Sequence, residues 1–584
     1  MADAAAPSVA TLEGRGGGER TPSAQTPERG PLARMLWYRQ LASYPNTGPR
    51  IGYLAIVVAA TIMLYYQLYV GGAVAPQILA HYGMSFRFYV DITVVANAVG
   101  AFSSVIAGLA DRWGRANMVA YGLGITALLV LFGIPNAPNS WAFAALVVAV
   151  GFVEGIILVA TPALVRDFSP QLGRASAMGF WTLGPVVGSL IVSVVASNTL
   201  SHLVAWQDQF VICGIVGLGV FVIAVFGLRE LSPGLRDQLM VSMRDRALIE
   251  AKAKGIDIAE SLRRPWRQML RLDIVLSAFA VSVFLIIYYT AVGFNPIYFE
   301  TIFGFSPSQA NGLGNWLWAF DALALVAVGL LSDWLKVRKP FMVVGAIGAV
   351  VMTIIYLGKA TAPHTSYYEF VLILSLLAAF LGIAYAPWMA SFTEPVERRN
   401  PALTATGLAV WGWILRIVVA VSVFILPFVV SSTTPLVTYG AKVKALAAEY
   451  APELTTASQV DPTTLAALAA NPGNAAAGAK AVGEIVAAAH VTPTEAISRL
   501  EALGKVQKAD FAFLQAHGPA VQKAAKETPG QWQNWYWVCV AGELVFLPLI
   551  FFMAGRWSPA AARRDIEEHE EEVQAELAKL GTAS

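Results

Sequence analysis

The chain is limited above all by its apolar runs, roughly twelve of them, each near the length of 20 residues at which a helix crosses a bilayer. They fall at about 51–75, 87–109, 117–135, 141–164, 175–197, 208–228, 273–297, 312–332, 340–358, 369–391, 402–430 and 531–554. A soluble protein interrupts such runs with polar faces and carries about 25% charged residues. Here 13% are charged and 57% hydrophobic. In lipid each backbone N–H and C=O must find its partner inside its own segment, so each run is expected to be a helix. The expected fold class is an all-α integral membrane protein with twelve transmembrane helices.

Lysine and arginine in the short loops set the expected orientation. One set of loops carries Arg112 and Arg115, Arg166 and Arg174, Lys336, Arg338 and Lys339, then Arg398 and Arg399. The alternate short loops offer Arg87, Lys359 and little else. The basic loops and both termini are therefore expected in the cytoplasm, in a cell membrane. The chain divides into a disordered tail over 1–48, a six-helix bundle over 49–228, a central loop over 229–272, and five helices over 273–431. An Ala-rich insert over 432–530 follows, then a last helix over 531–554 and a charged tail over 555–584. The insert is expected outside, as a stabilising cap or as a lid that captures substrate.

The two halves repeat each other. Asp111 in a basic turn is echoed by Asp333 in another. Tyr65-Tyr66, Pro76 and Gly83-Met84-Ser85 are echoed by Tyr288-Tyr289, Pro296 and Gly304-Phe305-Ser306. Two six-helix pseudo-repeats are the expected architecture.

A charge inside a bilayer costs roughly 2.5–3.5 kcal/mol at a helix centre, so each needs a reason. Glu154, Asp321, Arg416 and Glu543 lie within runs, and Asp91 near the end of one. Counted along a helix at ~1.5 Å per residue, Glu154, Asp321 and Arg416 share a level roughly 18–20 Å from the basic end. Arg416 can grip a carboxylate with paired hydrogen bonds. It is read either as the anchor of an anionic substrate or as an ion pair with Asp321. Glu154 and Asp321 are candidate proton carriers, or else hydrogen-bond ties between helices. Glu543 is read as structural. Around Arg416, substrate contacts are expected from Tyr66, Gln67, Tyr69, Tyr289 and Asn295, with Tyr65 and Tyr288 beside them.

The residues Ala107-Gly-Leu-Ala-Asp-Arg-Trp-Gly-Arg115 resemble the Gly-x-Leu-Ala-Asp-Arg-x-Gly-Arg-Lys loop of the major facilitator superfamily. Ala107 replaces the first Gly and Ala116 the closing Lys. A looser copy stands at Gly329-Leu-Leu-Ser-Asp333 with Lys336, Arg338 and Lys339. Asp167-Phe-Ser-Pro-Gln-Leu-Gly-Arg174 is similar to the acid-x-x-Pro-x-x-x-Arg turn of sugar and metabolite porters, with Glu394 to Arg398 as a counterpart. Gly184-Pro185-Val-Val-Gly188 resembles the core of the antiporter motif, although Phe180 and Ser189 replace its flanking glycines. Where the family carries an arginine on its fourth helix, this chain has Gly151, with Glu154 nearby.

The resemblance implies secondary transport by alternating access. It also implies a gating network of Asp111, Arg112, Arg115, Arg166, Asp167, Arg174, Asp333, Arg338, Glu394 and Arg398. The expected function is movement of a small organic, anionic metabolite coupled to protons, by a monomer in the lipid bilayer. Efflux of hydrophobic compounds in exchange for protons is the alternative, and a non-transporting receptor the third. No phosphate loop, metal cluster or nucleophile with a base is readable, so no enzyme, cofactor, metal or nucleic-acid partner is expected.

Overall fold

A computed structural model of the protein describes residues 36–41, 43–106, 114–168, 174–232, 269–399, 404–561 and 564. Residues Gln40–Ser584 form one compact unit, and Met1–Arg39 is counted apart from it. Helices occupy all twelve expected positions among the described residues. In the first half they are α1 (Thr47–Ala73), continued by α2 (Ala75–Tyr82), then α3 (Phe86–Ile106), α4 (Arg115–Leu128), α5 (Ser140–Phe168), α6 (Arg174–Thr199) and α7 (Trp206–Gly227). In the second half α8 (Leu272–Phe284) continues as α9 (Ile286–Tyr298), followed by α10 (Pro307–Leu335), α11 (Lys339–Lys359), α12 (Tyr367–Arg399) and α13 (Thr404–Val429). Among the described residues, ten helical stretches are long and apolar enough to cross a membrane.

Small residues set how closely these helices pack, as expected where no hydrophobic force drives association. A Cβ on Gly151 would fall 2.8 Å from the Ala96 carbonyl oxygen, and one on Gly155 2.1 Å from that of Gly100, so α5 crosses α3 backbone to backbone. Gly345 meets Ala384 in the same way between α11 and α12. Gly184 and Gly188, from the antiporter-like motif, press on Thr61 and Tyr65 of α1. Their structural role is therefore close packing of α6 on α1.

A proline removes a backbone hydrogen bond from each of the two helices that meet across the halves, Pro76 at the start of α2 and Pro296 inside α9. Pro76 cannot bond to Gly72, and Val74 just before it leaves helical geometry at φ −123° and ψ 20°. Pro296 likewise frees the Val292 carbonyl, and Gly72 packs against that oxygen, 2.9 Å from where its Cβ would stand. The freed backbone of one half thus meets a glycine of the other.

The halves join along α1 with α9, α3 with α13 and α6 with α10. Their hydrogen bonds cluster at the end bearing Gly83 and Gly304. Asn311 Nδ2 donates to the Ala73 carbonyl at 2.9 Å, Asn315 Nδ2 to Ser197 Oγ at 2.9 Å, and Ser308 Oγ to the Ser197 carbonyl. Gln77 reaches Glu300 from the same side. The insert rises from this end, opposite the basic turns.

After short helical turns at Thr433–Pro435 and Leu436–Gly440, the insert continues as α14 (Ala441–Glu449), α15 (Ala451–Ser458), α16 (Pro462–Ala470), α17 (Ala475–Ala489) and α18 (Pro493–Lys505). Side chains of Asp461, Asn474 and Thr492 cap α16, α17 and α18 by accepting from backbone N–H groups. Val460, Ala481, Ile485 and Ala496 make a small core of its own. The boundary expected at 530 falls inside a continuous helix, α19 (Lys508–Leu549), which carries the insert straight into the last span. Close to the membrane, Thr434 Oγ1 accepts from the Phe86 N–H of the first half at 3.1 Å. At the basic end, β1 (Gln40–Leu41) pairs in parallel with β2 (Glu230–Leu231), tying the start of the first half to its end.

Candidate functional site

Helices α1 and α9 face each other with tyrosines. Tyr65 and Tyr69, four apart on α1, lie on one face with ring centroids 5.6 Å apart. On α9, Tyr288 and Tyr289 meet edge to face at 5.2 Å, and Tyr288 leans on Trp318 of α10 at 5.1 Å. Helices α1 and α9 are in contact, and Tyr289 lies within electrostatic range of Tyr65 and Tyr69 across the seam between the halves. Tyr385 of α12 joins them from the second half.

Arg416 stands at the same place. Its field reaches Tyr65 from the first half and Tyr289 from the second. The residue is exposed. An exposed arginine within electrostatic range of both halves stands beside their seam. Among the described residues no carboxylate pairs with it, so the expected alternative of an ion pair with Asp321 is not seen.

Two of the intramembrane acids, Glu154 and Asp321, border this cluster. Glu154 is 1% exposed, with both carboxylate oxygens buried and without hydrogen-bond partners among the described residues. It acts on Tyr65 and Tyr69. An ionised carboxylate there would be neither solvated nor paired, an arrangement proteins avoid. Asp321 lies on the other side, buried, acting on Tyr288 and Tyr385. It borders a cavity inside the second half with Tyr288, Asn295 and Leu381. A second cavity lies between the halves against Tyr69, Ser189, Asn295 and Trp318. Asn295 and Ala291 border both cavities.

Tyr66 and Gln67 turn the other way, into the first bundle. Gln67 Oε1 accepts from Thr126 Oγ1 of α4 at 2.7 Å, and its amide nitrogen fills the space beside Gly217 of α7. Tyr66 is 2% exposed and neighbours Cys213. One residue is a 100° turn on a helix, so a face chosen without knowing the packing is easily misplaced. Tyr65 takes the position beside Tyr69 that was expected of Tyr66. Tyr385 carries no signal in the sequence that distinguishes it from an interfacial tyrosine. Glu543 bonds Thr353 of α11 at 2.7 Å, in keeping with a structural role.

At the basic end, Arg115 Nη1 donates to both carboxylate oxygens of Asp167, at 3.0 and 3.1 Å, joining α4 to α5. Arg338 pairs with Asp333 at 2.7 Å across the equivalent turn of the second half. Each pair links helices of one half. Glu230, not anticipated from the sequence, accepts from the Ala116 N–H at the start of α4 and from Gln40. Asp111 and Arg112 lie outside the described residues, as do the side chains of Arg166, Arg174, Glu394 and Arg398.

Among proteins of known name, the chain is 25% identical over 294 residues to a probable chloroplastic anion transporter of Arabidopsis thaliana, covering 47% of this chain and 55% of that one. It is 25% identical over 296 residues to the efflux pump radE of Floropilus chiversii, covering 45% and 53%. The chain thus spans about half the length of these curated relatives. A bacterial homologue of the human lysosomal transporter Spinster, crystallised inward-facing and occupied, shares the fold with a TM-score of 0.52. That likeness runs at 17% identity over 90% of this chain and 99% of the other. The family model of the Major Facilitator Superfamily matches residues 57–422, more than half of the chain, and the protein belongs to that superfamily.

Proposed function

We propose that the protein is a secondary transporter that moves a small organic anion by alternating access, coupled to protons. The observation that carries this reading is Arg416, a permanent cation beside the seam with no carboxylate on it among the described residues, within electrostatic range of Tyr65 and Tyr289 from the two halves. A cation held in that position lacks the anion that would neutralise it, and tyrosine hydroxyls supply donors for a carboxylate or phosphate. The likeness to a plant anion transporter supports the same class. We take the basic turns to face the cytoplasm of a cell membrane and the insert to lie outside, with a monomer as the working unit. In this orientation the halves are joined at the outer end, as in an inward-facing transporter. Glu154 and Asp321, on opposite sides of the tyrosine cluster, are the proton carriers of this reading, and the Arg115–Asp167 and Arg338–Asp333 pairs stiffen the turns that move.

The test is uptake into proteoliposomes under an imposed pH gradient, comparing radiolabelled small carboxylates and phosphate esters with a hydrophobic dye. Accumulation of an anion and indifference to the dye is the expected result. The reverse selects the efflux reading instead. Glu154→Gln and Asp321→Asn separate coupling from binding. At least one of them is expected to lose accumulation about tenfold or more while keeping anion exchange across the membrane, because a fixed neutral amide cannot load and release a proton. If both variants still concentrate the anion, neither residue carries the proton.

A further inference from the structure

The bond between Gln77 and Glu300 differs in kind from the other ties at the insert end. Asn311, Asn315 and Ser308 join the halves through neutral groups, whereas Gln77 of α2 reaches across to a carboxylate. Glu300 sits in a single π-turn, Phe299–Phe303, that ends α9. That turn follows Pro296 and closes at Gly304, which takes the left-handed conformation at φ 65°. Both carboxylate oxygens of Glu300 accept from the same Gln77 nitrogen, at 3.1 and 3.4 Å. Gln77 Oε1 is buried with no hydrogen-bond donor.

This is an incomplete pair. An amide and a carboxylate make one kind of bond, N–H to oxygen, and leave the amide oxygen unserved. An amide and a carboxylic acid make two, because the acid O–H donates to that oxygen. A buried acceptor without a donor is unfavourable, and one proton on Glu300 removes the deficit. The neighbouring charges do not remove it in another way. His81 of α2 points to Trp206, ring to ring at 5.6 Å. Tyr298 packs among Trp532, Tyr536 and Tyr356. Tyr439 of the adjoining insert segment stacks on His517 at 3.8 Å. Lys444 lies against Gly304, and among the described residues Gln77 is the one hydrogen-bond partner of Glu300.

We propose that Glu300 is a proton-binding site of the gate at the insert end, occupied when the two halves are closed there and vacated when they part. The proton bound at Glu300 completes the acid–amide pair with Gln77. When the gate opens, α2 withdraws the amide, water reaches the carboxyl, and the proton leaves to solvent. The site is separate from Glu154 and Asp321. It senses pH on the face where the insert stands, and its proton stabilises one of the two end states. The proposal rests on the alternating-access reading, in that it requires the halves to part at this end.

The test measures that parting without any substrate. In the full-length protein in lipid nanodiscs, spin labels are placed at Val204→Cys and Tyr368→Cys, both 77% exposed at this end and in opposite halves. The native Cys213 and Cys539 are buried and do not compete for label. Raising the pH from 5 to 9 is expected to lower the ratio of short-distance to long-distance populations about tenfold or more, since the closed state is the one that holds the proton. Glu300→Gln, a neutral partner that can still make both bonds, is expected to keep the ratio within about twofold across that range. A Glu300→Gln protein that responds to pH as the unsubstituted one does, or an unsubstituted protein that does not respond, overturns the proposal. Should Glu300→Gln fail to fold, Gln77→Leu decides: it must lower the closed fraction at pH 5, and an unchanged closed fraction overturns the proposal equally. Failure of anion uptake in proteoliposomes would sink the transport reading while leaving this distance response intact, so the two are distinguishable.

Discussion

Gly155→Ala is expected to lower the stability of the folded protein by about 3 kcal/mol or more, the upper range for a group forced into a well-packed contact. The cause is purely geometric. The new methyl would stand 2.1 Å from the Gly100 carbonyl oxygen and 2.1 Å from Ser103 Oγ. Neither can retreat easily. The Gly100 carbonyl belongs to the backbone of α3 and already accepts the Ser103 hydroxyl at 2.9 Å. α5 would have to move away from α3 as a rigid body. That shift would also open the Gly151–Ala96 contact one turn along the same crossing. Gly219→Ala on α7 is the control, because nothing lies within 4 Å of its Cβ position. There alanine should be neutral or slightly stabilising, since it prefers a helix by roughly 0.8–1.0 kcal/mol. Thermal unfolding in detergent, read by the loss of the monodisperse peak, compares the two. Equal melting temperatures for Gly155→Ala and Gly219→Ala would show that the helices do not cross this closely. The consequence for function is direct, because Glu154 is the neighbour of Gly155 and its depth in the seam is set by that crossing.

The helices were legible because the bilayer leaves little choice: a run long and apolar enough to span must satisfy its own backbone. The halves were legible because repeated turns such as Asp111 and Asp333 mark the same point of the same plan. Helical rise converts a residue count into depth, which is why Glu154, Asp321 and Arg416 could be placed at one expected level. Arg416 and Glu154 both act on Tyr65, and Asp321 acts on Tyr288. What the sequence did not disclose is rotation about each helix. Tyr65 and Tyr66 are adjacent letters of equal hydropathy, yet one faces the seam and the other the Cys213 side. Only packing partners such as Gly188 on Tyr65 and Thr126 on Gln67 decide between them. The union of the insert with the last span was hidden for a related reason. Proline disfavours a helix interior, yet α19 carries Pro519 and Pro529 within one helix. The repeat also extends further than the turns. Trp206, Phe210 and Cys213 of α7 recur as Trp532, Tyr536 and Cys539 of α19, at identical spacing.

Arg416→Gln is expected to reduce anion uptake, as kcat/KM, about 100-fold, the cost of losing a charge-assisted hydrogen-bonded contact worth roughly 1.5–3 kcal/mol. The structure adds a second expectation that a merely structural arginine would not share. Because Arg416 is exposed and no carboxylate among the described residues pairs with it, removing its charge leaves no buried partner stranded. Melting temperature should therefore stay within about 2 °C of the unsubstituted protein, as is usual for substitutions away from packed or paired groups. An ion pair tying α13 to Asp321 predicts the opposite pattern, a marked loss of stability from leaving one buried charge alone. Arg416→Lys sorts the remaining cases. Lysine keeps the charge but not the planar fork, so partial recovery of uptake indicates that charge dominates, and none indicates that two-point geometry does. Tyr289→Phe offers a finer probe at the same spot, since Tyr289 lies in the field of Arg416. Losing one hydroxyl bond to a bound anion is expected to raise KM roughly tenfold, a change of about 1.4 kcal/mol. Full carboxylate uptake by Arg416→Gln would take the arginine out of the binding site. The open seam between the tyrosines would then have to be filled by an uncharged cargo.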